Sequence, residues 1–283
     1  MTHDPWKYVF ASVRGTSHAV SDAPCQDSGV CRVLEAADGS EVLVAVASDG
    51  AGSAQRGEVG SALACSLFAC ELEALLGDGR AVRDITREFA RDWLTYFRHR
   101  VEALAESEDL TPRDYACTFL AAVVGADCAA FMQVGDGAIV IPDRDGPDDY
   151  CWVFWPQQGQ YANQTYFATE DDARDRLEHV LVEQRVDEVA VFTDGVQSLA
   201  LHYESQTAHA PFFGPVFAWL RPAPGGHPEK LSASLTDYLD SPKVNERTDD
   251  DKTLILATRR AAGEPQAVAE PHPDGHADAD AAL

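Results

Sequence analysis

Short apolar or alternating runs near the start of the chain predict β-strands, each followed by a polar segment. These runs occupy residues 6–13, 27–34 and 41–47. The run at 41–47 is apolar at almost every position, which is typical of a central strand. A polar turn is predicted at residues 37–40, and residues 15–23 are predicted to form a loop.

Two long stretches then carry apolar side chains at helical spacing. Residues 58–76 and 83–106 predict two helices lying side by side on a sheet. Short apolar runs return after them, separated by glycine-containing turns, and predict consecutive antiparallel strands at residues 116–124, 129–134 and 138–141. Strands are also predicted at 152–155, 188–193 and 252–257, helices at 196–200 and 228–239, and residues 175–183 fit either type.

This succession of strands, a helix pair, strands and helices predicts an α+β layered domain rather than alternating βαβ units. We assign residues 1–260 to this domain. Residues 261–283 consist largely of Ala, Pro, Asp, Glu, Gly and His, with almost no apolar side chain larger than valine. Such a segment buries too little apolar area to fold, so a disordered acidic tail is predicted.

Charge and cysteine content narrow the class of protein. The formal net charge of -25 argues against a nucleic-acid-binding surface and against binding to an anionic membrane. The 7 cysteines contain no C-x-x-C pair, which is typical of free thiols in a reducing cytosol. No signal peptide and no run long enough to span a bilayer are recognised, so a cytoplasmic location is expected.

Five short motifs with aspartate recur along the chain. They are Cys25-Gln26-Asp27, Ser48-Asp49-Gly50-Ala51-Gly52, Gly135-Asp136-Gly137, Thr193-Asp194-Gly195 and Asp249-Asp250-Asp251-Lys252-Thr253. At least three of them follow or open a predicted strand, and a strand end fixes a carboxylate in space. Several such ends brought together form an all-oxygen site suited to a hard divalent cation. One Asp-Gly pair alone predicts only a turn, so the prediction depends on all five together.

The order of these motifs resembles the PP2C-type (PPM) metal-dependent serine/threonine protein phosphatases, in a compact bacterial branch. The first motif of this family corresponds to Gly15-Thr16-Ser17-His18 and Pro24-Cys25-Gln26-Asp27, and the third motif corresponds to Ala116-Cys117-Thr118. Its last motif, usually Asp-Asn before a strand, corresponds to Asp250-Asp251. The resemblance covers residues 7–258 and implies an α-β-β-α sandwich of two antiparallel sheets flanked by helices.

The resemblance also implies two to three Mn²⁺ or Mg²⁺ ions at one end of the sandwich. Their ligands would be Asp27, Asp49, Gly50, Asp136, Asp194 and Asp250. Asp49 would bridge the two central ions, Asp27 would hold metal-bound water, and Asp136 would bind a third ion together with Asp194. Gly50 and Gly52 would let the backbone approach a metal without an intervening Cβ.

The chain departs from the family in its first motif. Many relatives place an arginine there to hold the phosphate, but none occurs between residues 15 and 27, although Arg14 lies just before. His18 is therefore a candidate for phosphate contact or for donating a proton to the leaving oxygen, and a purely structural histidine is equally expected. Residues 150–176 are the candidate substrate-selecting flap, and Gly137 stands where serine is usual.

The implied function is hydrolysis of phosphoserine or phosphothreonine through a metal-activated bridging water, with a phosphoprotein substrate and a bacterial Ser/Thr kinase or its targets as partners. Two alternatives stay open. One is a pseudophosphatase-type regulatory module that binds partners through the same face, and the intact carboxylate set argues against it. The other is a hydrolase of a small phosphorylated metabolite, which nothing in the sequence excludes.

Overall fold

Two five-stranded antiparallel sheets form the centre of the computed structural model, which describes residues 5–143, 149–158 and 165–263. The strands are β1 (Lys7–Val13), β2 (Ser28–Glu35), β3 (Glu41–Ser48), β4 (Phe119–Val124), β5 (Ala129–Val134), β6 (Ala138–Pro142), β7 (Tyr150–Trp152), β8 (Glu178–Val182), β9 (Glu188–Phe192), β10 (Leu201–His202), β11 (Thr207–Ala208) and β12 (Lys252–Thr258). The first sheet has the order β1-β12-β9-β6-β7 and the second sheet the order β2-β3-β4-β5-β8. Strands β10 and β11 form a separate hairpin.

Helices lie outside both sheets. They are α1 (Thr16–Ser21), α2 (Gly57–Gly77), α3 (Arg87–Ser107), α4 (Ala173–Arg176), α5 (Gln197–Ala200), α6 (Ala210–Leu220), α7 (Glu229–Leu239) and α8 (Pro242–Asn245), with 3-10 turns at Val82–Asp84, Pro112–Tyr115 and Asp194–Val196. Helices α2 and α3 share a hydrophobic cluster with the second sheet, and α6 and α7 share another with the first sheet. A third cluster fills the space between the sheets.

The alternation of side chains along β3 explains these layers. Leu43 and Ala45 point toward the first sheet, where they pack near Val191 and Ile255. Val44 lies between them in sequence and belongs to the cluster beneath α2 and α3. Every residue of β3 after its first is buried, as expected of a strand covered on both faces. The predicted α-β-β-α sandwich is confirmed.

Helix α2 is long and apolar enough to cross a membrane by length and composition. The expectation that no run reaches that length is therefore wrong by this criterion. Half of its most apolar window is buried inside the fold. Phe68 and Leu72 of α2 are fully buried in the cluster against the second sheet, which accounts for the apolar composition.

Two local predictions differ from the structure. Residues 15–23, predicted as a loop, contain α1, a helix with no buried residue and therefore no apolar periodicity to recognise. The helix predicted from residue 83 begins at Arg87, because Thr86 caps it by accepting a hydrogen bond from the Phe89 N–H at 3.2 Å. Residues 175–183, which fit either a helix or a strand, contain the end of α4 followed by β8.

The strands at 129–134 and 138–141 are not neighbours, contrary to the prediction. Strand β5 pairs with β4 and β8 in the second sheet, whereas β6 pairs with β9 and β7 in the first. The turn between them therefore crosses from one sheet to the other. Gly135 makes this crossing with φ +116, a conformation that favours glycine, and a Cβ there would lie 2.6 Å from the Thr118 side chain.

The remaining differences are smaller, and they include α8, which was not predicted. The strand predicted from residue 116 begins at Phe119, and Cys117 forms an isolated bridge with Gly50. The strand predicted at 152–155 is β7, which begins two residues earlier, at Tyr150. The β10–β11 hairpin and α6 were not predicted. Most of the predicted tail, from residue 264 onward, lies outside the described residues.

Candidate metal centre and active site

Aspartates from separate loops meet at one end of the sandwich. Asp49 follows β3, Asp136 lies in the crossing turn between β5 and β6, and Asp194 follows β9. One carboxylate oxygen from each of these three lies within 4.8 Å of the other two, and all three residues are partly buried. The strand ends predicted to meet therefore do so for these three acids.

Asp27 is buried near these three aspartates, with 6% of its surface exposed. Its Oδ2 accepts a hydrogen bond from Thr193 Oγ1 at 2.6 Å. Its Oδ1 is buried and, within the described part of the chain, has no hydrogen-bond partner. Asp136 Oδ1 is likewise buried and has no hydrogen-bond partner among the described residues. A buried acceptor without a donor is unfavourable, and a bound cation would satisfy both oxygens.

Burial and mutual repulsion perturb these carboxyl groups. Burial raises the pKa of Asp49 well above its ordinary value, and the charges of Asp27, Asp194 and Asp136 raise it further. Burial also raises the pKa of Asp194, with Asp136 and Asp250 as the next causes. Carboxylates held this close repel one another unless positive charge lies between them. A bound cation would relieve this repulsion.

The remaining predicted ligands border the same space. Asp250 and Gly50 line the cleft that contains Asp49, Asp136 and Asp194. Asp250 is half-buried, its Oδ1 accepts from the Asp251 N–H at 2.8 Å, and burial raises its pKa. Its oxygens are outside the group of three that meet within 4.8 Å. The donor set consists of oxygen atoms, which fits Mg²⁺ or Mn²⁺ better than zinc.

The structure gives a different reason for the glycine at position 50. A Cβ on Gly50 would lie 2.4 Å from backbone atoms of Gly57, the first residue of α2, and 2.8 Å from the Gln26 carbonyl oxygen. A Cβ on Gly52 would have no heavy atom within 4 Å among the described residues. Close packing against α2 therefore requires glycine at position 50, and no steric contact requires it at 52. A Cβ on Gly137 would lie 2.6 Å from the Phe192 carbonyl oxygen, so the serine usual in relatives does not fit here.

His18 lies on the cleft wall, and Arg14 does not. Helix α1 carries His18, whose Nδ1 lies 2.8 Å from Asp251 Oδ2. Arg14 instead donates to the Ala23 carbonyl oxygen at 3.3 Å and is not among the residues that line the cleft. Asp251 was not predicted to contact His18, although the sequence contains a signal: an aspartate stands where the family usually has asparagine.

The cleft has a volume of about 1190 Å³ and is bordered by part of the predicted flap. Tyr166, Phe167 and Asp171 line it, whereas residues 159–164 lie outside the described part. Two arginines also line it. Arg98 is paired with Glu102 and Asp171, whereas exposed Arg113 makes no ion pair with any described residue. No sequence signal marked Arg113.

Comparisons with known proteins identify the family. A family model for protein phosphatase 2C matches residues 14–240. Serine/threonine-protein phosphatase 3 of Escherichia coli (strain K12) is 39% identical over 253 residues, which cover 89% of this chain and 98% of that protein.

Solved structures show the same fold at low identity. PppA of Pseudomonas aeruginosa has a TM-score of 0.59 at 14% identity, with 90% of this chain and 97% of that chain covered. Phosphatase Stp1 of Staphylococcus aureus has a TM-score of 0.56 at 14% identity, with 89% and 94% covered. The chain belongs to the protein phosphatase 2C family of serine/threonine protein phosphatases.

Proposed function

We propose that this protein is a Mn²⁺- or Mg²⁺-dependent phosphatase that hydrolyses phosphoserine and phosphothreonine in proteins. The observation that carries the proposal is the meeting of Asp49, Asp136 and Asp194 within 4.8 Å, together with buried oxygens of Asp27 and Asp136 that have no donor among the described residues. Two to three ions would be held by Asp27, Asp49, Gly50, Asp136, Asp194 and Asp250. When bound, the ions would supply Lewis-acid activation of water and neutralise phosphate charge.

The chain's own residues divide the remaining tasks. The aspartates hold the ions in place, and Thr193 orients Asp27 through its hydroxyl. His18 on the cleft wall donates a proton to the leaving oxygen of the substrate. Arg113 contacts the phosphate or the phosphopeptide backbone, since it is the cleft-lining arginine without a carboxylate partner in the described part of the chain. Arg14 takes no part.

The size of the cleft favours a protein substrate over a small metabolite. Its volume of about 1190 Å³ exceeds the roughly 300–1,000 Å³ of sites that enclose a small molecule. The flap residues extend one wall, which suits an extended peptide. A regulatory module without activity is disfavoured because the carboxylate set is intact. A bacterial Ser/Thr kinase or its targets would supply the phosphoprotein, in the cytoplasm.

The experiment is a comparison of substrates with matched variants. Activity is measured on a phosphopeptide panel, a phosphorylated-metabolite panel and p-nitrophenyl phosphate, with Mn²⁺ and with EDTA. Asp49→Asn and Asp194→Asn should abolish turnover and keep the circular dichroism spectrum, because each removes a carboxylate of the group. Asp127→Asn, at an exposed ion pair with Arg83, serves as the control with unchanged turnover. Wild-type turnover by Asp49→Asn at saturating metal would overturn the proposal.

A further inference from the structure

We infer that Asp251 is a positioning residue for His18: it holds the imidazole by Nδ1 so that Nε2 faces the leaving oxygen of the substrate. This inference rests on the proposed function. Asp251 was not among the predicted site residues. It is distinct from the neighbouring metal ligand Asp250, because its carboxylate is directed at the first motif.

The Asp251 carboxylate is buried and accepts hydrogen bonds from three groups of the first motif. Its side chain is 2% exposed, and Oδ2 lies 2.8 Å from His18 Nδ1. Oδ1 accepts from the Gly15 N–H at 2.6 Å, and Oδ2 also accepts from the Gln26 N–H at 2.6 Å. Three donors thus converge on one carboxylate. An asparagine would offer one acceptor oxygen and an amide NH₂ group, so it would leave at least one of these donors unpaired.

Helix α1 depends on such polar contacts for its position. It has 6 residues, and none of them is buried, so hydrophobic packing does not hold it in place. Both the N–H and the hydroxyl of Ser17 donate to the Asp249 carbonyl oxygen, at 3.0 and 2.7 Å. A Cβ on Gly15 would lie 2.3 Å from the Asp250 carbonyl carbon. The last motif therefore holds the first by direct backbone and carboxylate contact.

This geometry assigns a task to each ring nitrogen. The Asp251 carboxylate accepts a hydrogen bond from the N–H at Nδ1, which leaves Nε2 as the nitrogen that exchanges a proton with the substrate. As a water oxygen bonds to phosphorus, the bond between phosphorus and the serine oxygen breaks, and its electron pair stays on the serine oxygen. The proton on Nε2 is transferred to the same oxygen, and Nε2 recovers a proton from water. His18 is the catalytic group, and Asp251 acts through it.

The kinetic test uses Asp251→Asn, His18→Ala, the double variant and Asp249→Asn. Asp249 is the matched control because it is exposed and meets Ser17 only through its backbone oxygen. We expect Asp251→Asn and His18→Ala each to lower kcat for a phosphoserine peptide by about 10²-fold, the size of losing a general acid. The loss should be smaller for p-nitrophenyl phosphate, whose leaving group needs little protonation. The double variant should lose no more than His18→Ala alone.

A second measurement does not depend on activity. Long-range ¹H–¹⁵N spectra of the metal-free wild type should show His18 protonated on Nδ1, with the signal assigned by its loss in His18→Ala. Asp251→Glu, which keeps the charge but moves the carboxylate, should shift that signal and reproduce the leaving-group-dependent loss. This variant and the wild-type spectrum keep the test decisive if Asp251→Asn fails to fold.

The results that would contradict this role of Asp251 differ from those that would contradict the proposed function. Equal loss on both substrates by Asp251→Asn, together with a lower melting temperature, would make Asp251 a structural residue and overturn the inference. A wild-type spectrum with the His18 proton on Nε2 alone would do the same. Inactivity of the wild type on every phosphate ester would instead contradict the proposed function. The spectrum would still show whether His18 Nδ1 is hydrogen-bonded to Asp251.

Discussion

Thr193 Oγ1 donates a 2.6 Å hydrogen bond to Asp27 Oδ2 and accepts a 3.0 Å hydrogen bond from the Thr253 N–H. Thr193 directly follows β9, and Thr253 lies in β12. Both strands belong to the first sheet. Asp27 precedes β2 of the second sheet. One hydroxyl therefore joins the two sheets at the acidic centre and leaves Asp27 Oδ1 directed away from Thr193.

Replacing this hydroxyl should weaken metal binding. Thr193→Val keeps the side-chain shape but removes the donor to Asp27, and we expect Mn²⁺ affinity to fall by about 10–100-fold, as when partners of ligating groups are lost. Thr193→Ser restores the donor and should keep wild-type affinity. Calorimetric titration of Mn²⁺ into the metal-free variants measures both. Equal affinities for the valine and serine variants would contradict this role.

The two glycines of the second motif should respond differently to alanine. Gly50→Ala places a Cβ 2.4 Å from the backbone of Gly57 and should destabilise the fold by about 1–3 kcal/mol while displacing Asp49. Gly52→Ala enters open space and should change the free energy of unfolding by less than about 0.5 kcal/mol. Urea unfolding at equal protein concentration measures both. Similar losses for the two variants would show that the close approach to α2 is not the cause.

The metal-free protein should lose stability as the pH rises through neutrality. Burial raises the pKa of Asp27 from 3.8 to about 7. The fold therefore binds this proton more tightly than the unfolded chain does. The resulting stabilisation is complete below the ordinary value of 3.8 and is lost as the pH rises through about 7.

We expect the melting temperature in EDTA to be lower at about pH 8 than at about pH 6. Mg²⁺ should reverse this fall because a cation binds ionised carboxylates, and at 100 times its Kd it stabilises the fold by about 2.7 kcal/mol. Scanning calorimetry with and without Mg²⁺ measures the effect. Asp27→Asn serves as the control, with a smaller pH dependence. A metal-free protein that gains stability between these pH values would contradict the assignment.

A buried ion network outside the acidic motifs should dominate the response of the fold to charge removal. Glu188 is fully buried and accepts from Arg221 Nε at 2.7 Å and from Arg260 Nη1 at 3.1 Å. Glu188→Ala should cost about 3–5 kcal/mol, because it removes the buried carboxylate to which both guanidinium groups donate. Asp127→Ala, which breaks the exposed pair with Arg83, should cost less than about 1 kcal/mol. Comparable urea midpoints for the two variants would contradict this ranking.

Arg113 should contribute to substrate recognition and Arg14 should not. Arg113→Ala removes the cleft-lining guanidinium and should lower kcat/KM for a phosphopeptide by about 10-fold, as expected for one hydrogen bond to a charged group. Arg14→Ala is the matched control, because its side chain donates to the Ala23 carbonyl oxygen outside the cleft. Steady-state kinetics at fixed ionic strength measures both. A loss with Arg14→Ala and none with Arg113→Ala would reverse the assignment.

Local patterns were enough to predict most strands and the two long helices. Strand β3 is a continuous apolar run because both of its faces are covered, and such a run is visible without knowing what covers it. The Asp-Gly motifs were visible for a similar reason, since each stands directly beside a strand end. These patterns do not show which strands pair with each other. The crossing of Gly135-Asp136-Gly137 from one sheet to the other was therefore not predicted.

The sequence by itself determined the layered fold class and the family, and it predicted the set of acidic ligands, because these depend on local periodicity and on motif order. Only the tertiary structure decided which groups face the cleft. His18 meets Asp251 across 233 positions of sequence, on a helix too short and too exposed to leave an apolar pattern. Arg113 faces the cleft because a 3-10 turn places it there. Contacts between side chains this far apart arise from sheet packing, and no local rule for residue spacing encodes them.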